Sequence, residues 1–308
     1  MLNTIKSVII GHAVGDALGV PVEFCSRESL TKNPVTKMIG FGTHNVPAGT
    51  WSDDTSMSLC ALGSLSKGTV DFEDIMKNFG KWYYDRDFTA TGEVFDIGNT
   101  CRDAIHNYFN LGYKTTECGL TSERSNGNGS LMRINPFVLY AYYNKIENDE
   151  FIDIITKASA LTHANQCSID GCIIYSCVLK ELINNPSKLS IYKGLSNSQS
   201  YISSSKTYYY RLFYCYINAF DIMQIKSSGY IVDTLEAAIW CLLTTKNYKD
   251  CVLKAVNLGE DTDTVAAVAG GLAGALYGFD DISTEWLHTL KKRDYIEKIC
   301  EQAYSVWR

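Results

Sequence analysis

The sequence predicts an all-α protein, a compact multi-helix bundle with its loops converging at one end. Three observations carry this: apolar residues recur at three- and four-residue spacing wherever a period can be counted, strand-like alternation is scarce, and one long run of small residues reads as a packed core helix. In chain order, the first element is "GHAVGDALGVPVEF" (11–24), where Gly15, Gly19 and Glu23 lie four residues apart with Asp16 beside the first glycine. Glycines at that interval along one helix face let another backbone approach closely. The N-terminal helix is therefore expected deep in the molecule, with Glu23 just past its end.

In "DFEDIMKNFGKWYYD" (71–85), Phe72, Ile75, Met76, Phe79 and Trp82/Tyr83 follow helical spacing behind Asp71 as the N-cap. Similar patterns fall at 151–162, 168–183, 234–244, 248–256 and 285–304, the last with Leu290, Tyr295, Ile299 and Tyr304 as core cover. The polar stretch 184–207, rich in Ser and Asn, is predicted to be a surface loop or short linker within one domain spanning 1–308. The Tyr run at 208–210 reads as helix surface and core edge. "VAAVAGGLAGALYGF" (265–279) is shorter than the roughly 18 apolar residues of a membrane span and reads as the tightly packed core helix.

Composition excludes several function classes. A 46% hydrophobic and 20% charged chain with 5 prolines is an ordinary globular protein, neither disordered nor fibrous. With a net charge of −6 it shows no window of the clustered Lys and Arg that a nucleic-acid groove needs, and nucleic acid is not an expected partner. The N-terminus, broken by His12 and Asp16, does not have the layout of a secretory signal, so a cytoplasmic location without membrane attachment is expected. Its 11 cysteines include no CxxC pair, and the five-residue spacing of Cys167, Cys172 and Cys177 suits buried, reduced thiols.

Two acidic clusters stand out. "GTWSDDTSMSLC" (49–60) sets Asp53 beside Asp54, and like charges side by side cost free energy unless something positive lies between them. "LGEDTDTVAAVAGG" (258–271) has the same character, with Asp261 and Asp263 ahead of Thr264. Residues two apart on a helix point about 200° from each other, so Asp261 and Asp263 can converge only on a loop or first turn. Either cluster alone is explained as well by helix capping. Two clusters, each with an adjacent hydroxyl, favour a cation site. Carboxylates and hydroxyls without His or Cys select Mg²⁺, Mn²⁺ or Ca²⁺ over zinc. "RSNGNGSLMR" (124–133) is a Gly-Asn-Gly loop whose free amides suit phosphate or ribose oxygens, and "FDIGNTCRDAI" (95–105) sets Asp96 ahead of a Gly98-Asn99-Thr100 turn; an ordinary turn and a helix cap explain these equally cheaply.

Taken together, "GDALGVPVEF", "WSDDT", "DIGNT", "GNGSLMR", "LTHAN" and "GEDTDTVAAVAGGLAGALYG", in that order over residues 10–278, resemble the ADP-ribosylglycohydrolase family. The resemblance implies an all-α fold and two divalent cations, Mg²⁺ or Mn²⁺, at the mouth of a cleft. It matches Ser52, Asp53 and Asp54 to one set of metal ligands, with Ser52 where many members have Thr, and Asp261, Asp263 and Thr264 to the other. Glu23 matches a glutamate tied to gating or acid/base chemistry, and Asp96 an aspartate near the scissile bond in the arginine-acting bacterial branch. Asn128, Gly129, Ser130 and Met132 match the loop holding the distal ribose and diphosphate, His163 matches a residue of the cleft wall, and Gly98 lies in the turn after Asp96. The implied activity is release of ADP-ribose from modified arginine on an ADP-ribosylated protein. Serine-linked or small-molecule ADP-ribose conjugates, a two-metal phosphoesterase and a non-catalytic ADP-ribose binder are the alternatives.

Overall fold

The computed structural model describes residues 1–202 and 208–307. Among these, fifteen α-helices follow one another: α1 (Leu2–Gly19), α2 (Arg27–Lys32), α3 (Asp53–Leu65), α4 (Phe72–Gly80), α5 (Asn99–Phe109), α6 (Asn135–Tyr143), α7 (Asn148–Ala160) and α8 (Gln166–Asn184). Then come α9 (Lys188–Ser198), α10 (Tyr210–Tyr214), α11 (Ile231–Thr244), α12 (Tyr248–Val256), α13 (Thr262–Tyr277), α14 (Thr284–Thr289) and α15 (Arg293–Val306). Extended pairing is confined to two isolated bridges, Leu120 with His163 and Gly127 with Tyr230. The all-α expectation holds, and one continuous apolar core runs through the helices.

Polar side chains start the helices where the sequence places them. The Asp71 carboxylate accepts from the Asp74 amide at 3.0 Å to open α4, and Asn165 and Asn247 cap α8 and α12 in the same way.

At the centre, α1 and α13 lie antiparallel with their backbones in contact. Every residue from Ser7 to Glu23 is buried, as is every residue from Thr262 to Ala275. Successive turns meet as Ser7 with Gly274, Gly11 with Gly270, Gly15 with Ala266 and Gly19 with Asp263. A Cβ on Gly11 would lie 2.7 Å from the Gly270 carbonyl oxygen, and at Gly15 and Gly19 it would overlap the α13 backbone outright. The register brings the C-terminal end of α1 to the N-terminal end of α13. Together with the turn that follows it, α1 (Leu2–Val22) is long and apolar enough to cross a membrane, but 94% of that window is buried inside the fold, which marks it as the core helix.

Three expectations are corrected. The stretch 184–207 contains α9, whose Ile191 and Leu195 enter the core while Ser190, Gly194 and Ser198 are buried beside them. A Cβ at Gly194 would sit 2.5 Å from Val178 Cα, so the glycine lets α9 approach α8 closely; residues 203–207 lie outside the described residues. The pattern at 285–304 is two helices, α14 and α15, because Lys292 adopts a left-handed conformation with φ 49°. The break has a use: the Lys291 amide donates to the Gly49 carbonyl and its carbonyl accepts from Trp51 Nε1, both at 2.9 Å, which steadies the approach to α3. Tyr304, expected as core cover, is 46% exposed, next to the buried Ala303 and one turn past the buried Cys300. The cysteines are all free, with Cys167, Cys172 and Cys177 buried as expected.

The Gly15→Ala substitution inserts a methyl group into the α1–α13 seam, where neither backbone can give way. It is expected to destabilise the protein by about 2–3 kcal/mol or more, read as a lowered urea midpoint at unchanged m-value; a midpoint within error of the parent would show that the seam is looser than described.

Candidate active site

Three helix ends meet at one place: the C-terminal end of α1 and the N-terminal ends of α3 and α13. Asp16, on the last turns of α1, ties α3 to this point. Its carboxylate accepts from the Ser52 amide at 2.9 and 3.1 Å, from the Thr55 amide at 3.1 Å and from the Thr55 hydroxyl at 2.6 Å. Ser52 is the N-cap of α3; its hydroxyl donates to Asp54 Oδ2 at 3.1 Å, an oxygen that also accepts from the Thr264 hydroxyl at 3.3 Å. Asp261 occupies the N-cap position of α13 and accepts from Asn128 Nδ2 at 2.8 Å; Asp263 accepts from the Thr264 amide at 2.9 Å.

The two acidic motifs, over 200 residues apart in sequence, thus form one cluster. One ligand oxygen from each of Asp16, Asp54 and Asp263 lies within 4.8 Å of the others, and the same is true of Glu23, Asp261 and Asp263. Asp54 Oδ1, Asp261 Oδ1 and Asp263 Oδ2 are buried with no hydrogen-bond partner, and among the described residues no Lys or Arg forms an ion pair with these aspartates. Burial first, then the neighbouring carboxylates, pushes Asp53, Asp54 and Asp263 well above the ordinary carboxylate range. Asp16 is raised to about 6, chiefly by burial. Orphaned carboxylate oxygens converging beside the Ser52 and Thr264 hydroxyls, with no nitrogen or sulfur donor in either group, fit a hard divalent cation.

A cleft of about 570 Å³ opens above this cluster, within the size range of small-molecule sites. Glu23, Asp53, Asp261 and Thr264 form its floor; Asp96, Gly98, Asn128, Gly129, Met132 and His163 form its walls. Ser52, Asp54 and Asp263 lie beneath that floor rather than on it. Ser130 is fully buried behind the wall, with its hydroxyl accepting from Ser159 at 3.0 Å. Asn128 is braced from two sides, by its amide to the Gly229 carbonyl and by Nδ2 to Thr234 and Asp261. Asp96 takes a left-handed backbone conformation, φ 63°, just ahead of α5, which turns its side chain into the cleft. Burial, with Glu23 beside it, raises its carboxyl to about 8; burial, with Asp261 nearby, raises Glu23 to about 8.

His163 is fixed by a relay. Arg133, fully buried, donates to the Thr162 hydroxyl at 2.7 Å, which leaves that hydroxyl's own proton for His163 Nδ1, also at 2.7 Å. On this hydrogen-bond assignment Nε2 carries the ring proton and presents a neutral N–H beside the Gly127–Gly129 loop.

Asp16, His44 and Arg124 join the site beyond the residues the motifs single out. Asp16 had a signal, an acid inside an apolar helix. Arg124 is the only basic side chain on the cleft wall besides His163 among the described residues, and it stands just outside the Gly-Asn-Gly loop. His44 contacts Glu23 and lies 3.9 Å from Asp96, and nothing around it in sequence announces that.

The family model described as ADP-ribosylglycohydrolase matches residues 1–308. The chain belongs to the ADP-ribosylglycohydrolase family. It is 34% identical over 314 residues to "ADP-ribosylarginine hydrolase Tri1" of Serratia proteamaculans, covering 98% of this chain and 79% of that one. It is 33% identical over 284 residues to "ADP-ribosyl-[dinitrogen reductase] glycohydrolase" of Rhodospirillum rubrum, covering 91% and 88%. A solved structure titled "ADP-ribosylglycohydrolase-related protein complex" superposes with a TM-score of 0.84 at 29% identity, over 100% of this chain and 99% of that one. The chain is thus a hydrolase of the ADP-ribosylglycohydrolase family, and its acidic cluster and cleft lie on that family's fold.

Burial holds His163 at about 3 and His12 at about 4, so both stay neutral in the fold while the unfolded chain protonates them near 6.5. The folded state then binds fewer protons between those values; the stability is complete above pH 6.5 and is lost as pH falls, by at most about 1.4 kcal/mol per pH unit for each histidine. Urea midpoints at pH 7.5 and pH 5.0 should therefore differ less in His163→Gln than in the parent. An equal difference would place the acid sensitivity elsewhere.

Proposed function

We propose that this enzyme hydrolyses the N-glycosidic bond of ADP-ribosylated arginine side chains and releases ADP-ribose, using divalent cations held at the acidic cluster. The observation that carries the reading is the cleft floor: buried carboxylate oxygens with no basic partner lie directly beneath a wall made by Asp96 and the Asn128–Met132 loop. The printed activities of the Serratia and Rhodospirillum relatives support arginine as the acceptor and a modified protein as the partner. Eleven unpaired cysteines suit a reducing, cytoplasmic setting.

Ser52, Asp53, Asp54, Asp261, Asp263 and Thr264 would hold two cations, Mg²⁺ or Mn²⁺, whose charge would offset the clustered carboxylates and attract hydroxyl groups of the substrate. Asn128, Gly129, Met132 and the Nε2–H of His163 receive the ribose and diphosphate from the side, with Gly98 and Arg124 bordering the same space. Ser130 supports that loop from behind through Ser159. Cleavage breaks the bond between the anomeric carbon and the guanidine nitrogen; a water oxygen takes its place on the carbon and a proton goes to the departing nitrogen. Asp96 and Glu23 are the carboxyl groups placed to move that proton.

Incubation with ADP-ribosylarginine should yield intact ADP-ribose with Mg²⁺ or Mn²⁺ and none with EDTA. The Asp53→Asn/Asp54→Asn double variant should fall by at least about 100-fold, and Asp96→Asn should cost a similar factor. Mn²⁺ should raise the melting temperature of the parent by several degrees and leave the double variant unmoved. AMP and phosphoribosyl-arginine as products, with the glycosidic bond intact, would instead identify a phosphoesterase. Release from serine-linked substrate alone would sink the arginine assignment, and metal binding without any release would leave a non-catalytic ADP-ribose binder.

A further inference from the structure

The segment joining α2 to α3 carries a histidine to the one edge of the cleft where two carboxyl groups stand together. His44 Nε2 meets Glu23 Oε2 in a close hydrogen bond and lies 3.9 Å from Asp96 Oδ1. In either tautomer a proton lies between the ring and Glu23, so the contact fixes both partners. The ring itself is enclosed, tilted against Phe95 at 5.1 Å and facing Phe24 at 6.2 Å between centroids.

The placement is built into the backbone. The Thr43 hydroxyl donates to the Glu23 carbonyl at 2.7 Å, and the Thr43 amide donates to the Pro21 carbonyl at 3.0 Å. A Cβ at Gly42 would run into that same Pro21 carbonyl, so only glycine lets the loop close on the end of α1. The loop is cross-braced from Phe41 to Val46 at 2.7 Å and from Asn45 to Gly42 at 3.0 Å, with Phe41 and Asn45 in left-handed conformations. The loop that carries His44 is therefore clamped, through Thr43, to the backbone of Pro21 and of Glu23 itself. Glu23 is the more enclosed of the two carboxyl groups, its side chain 5% exposed against 16% for Asp96.

We propose that His44 is a positioning residue for the Glu23–Asp96 pair: its ring holds the Glu23 carboxyl group against the cleft wall and thereby leaves Asp96 as the carboxyl group that faces the scissile bond. This assignment rests on the glycohydrolase reading of the cleft. It assigns between the two acids the main proton-transfer role that the sequence leaves open.

The test is a kinetic cycle on ADP-ribosylarginine at saturating Mn²⁺ with His44→Ala, His44→Gln, Glu23→Gln and the His44→Ala/Glu23→Gln double variant. His44→Ala should lower kcat about 10- to 100-fold with KM and the calorimetric Kd for ADP-ribose within about threefold of the parent. His44→Gln, whose amide still bonds a carboxyl group, should recover most of the loss. Adding His44→Ala to Glu23→Gln should cost less than about threefold further, since the group being positioned is already altered. An unchanged kcat in His44→Ala, the same penalty in both backgrounds, or a joint loss of kcat and ADP-ribose binding without rescue by Gln would overturn the assignment. A parent protein that cleaves only serine-linked ADP-ribose sinks the arginine reading by itself, and the same cycle on that substrate then judges His44. A parent that cleaves neither overturns both.

Discussion

The seam between α1 and α13 is the contact on which the rest depends. Ordinary helix pairs keep their axes about 8–10 Å apart because side chains fill the space between them. Here Gly11, Gly15 and Gly19 on one helix face Gly270, Ala266 and the backbone at Asp263 on the other, and main chain lies on main chain. Such a contact has a register. Shifting α1 by a fraction of a turn would drive a Cβ or carbonyl into the partner, so its C-terminal end and the start of α13 are fixed with respect to each other. Glu23 and Asp263 inherit that fixity, and Asp16 passes it to α3 through the Ser52 and Thr55 amides.

That rigidity makes an unfavourable concentration of charge tolerable. The N-terminal ends of α3 and α13 both point at the cluster, and each contributes partial positive charge from its free amides. Two helix ends offset only a fraction of the repulsion among Asp16, Asp53, Asp54, Asp261 and Asp263. Some oxygens nevertheless have no donor at all, although the fold supplies donors generously nearby: Asp16 takes four contacts while Asp54 Oδ1 and Asp263 Oδ2 take none. The distinction separates an acid that holds a helix in place from acids whose free oxygens could hold a cation.

What the sequence disclosed follows from the range over which each feature acts. Adjacent aspartates are anomalous within a few residues, so Asp53–Asp54 and Asp261–Asp263 were legible before any fold was known. The long periodic helices were legible for the same reason. Helix α9 was not, because only Ile191 and Leu195 mark its buried face, and the Ser190, Gly194 and Ser198 beside them add nothing to a hydrophobic period. The break at Lys292 was hidden because its cause, the hydrogen bonds from Lys291 to Gly49 and Trp51, lies 240 residues away in the chain. His44 shows the limit most sharply. Its chemistry depends on a glycine of its own loop fitting against Pro21, and neither residue type signals a ligand-bearing loop.

The cleft therefore has two halves of different character. Its floor is made by helix termini locked through backbone contact, while its rim is made by loops with unusual conformations. Among the nine non-glycine residues with positive φ in the described structure, Phe24, Phe41, Asn45, Asp96 and Glu260 all lie in the loops that border the cleft or brace its edge. Conformations of this kind cost about 1–3 kcal/mol each and persist only when the surroundings over-determine them. Here the surroundings are visible: Phe24 and Glu260 are joined at 2.7 Å from amide to carbonyl, and the 41–46 loop is clasped to Pro21 and Glu23. Phe24 and Phe41 end up 68% and 71% exposed, the Phe24 ring at the cleft itself and the Phe41 ring on the loop that braces its edge. A floor set by helix packing tolerates little change, since every residue in it also holds the seam or a helix end. The rim can alter the rings it presents at Phe24 and Phe41 more freely than the floor can change, except where its loops also fix a carboxyl group, as at Asp96 and at the contact of His44 with Glu23.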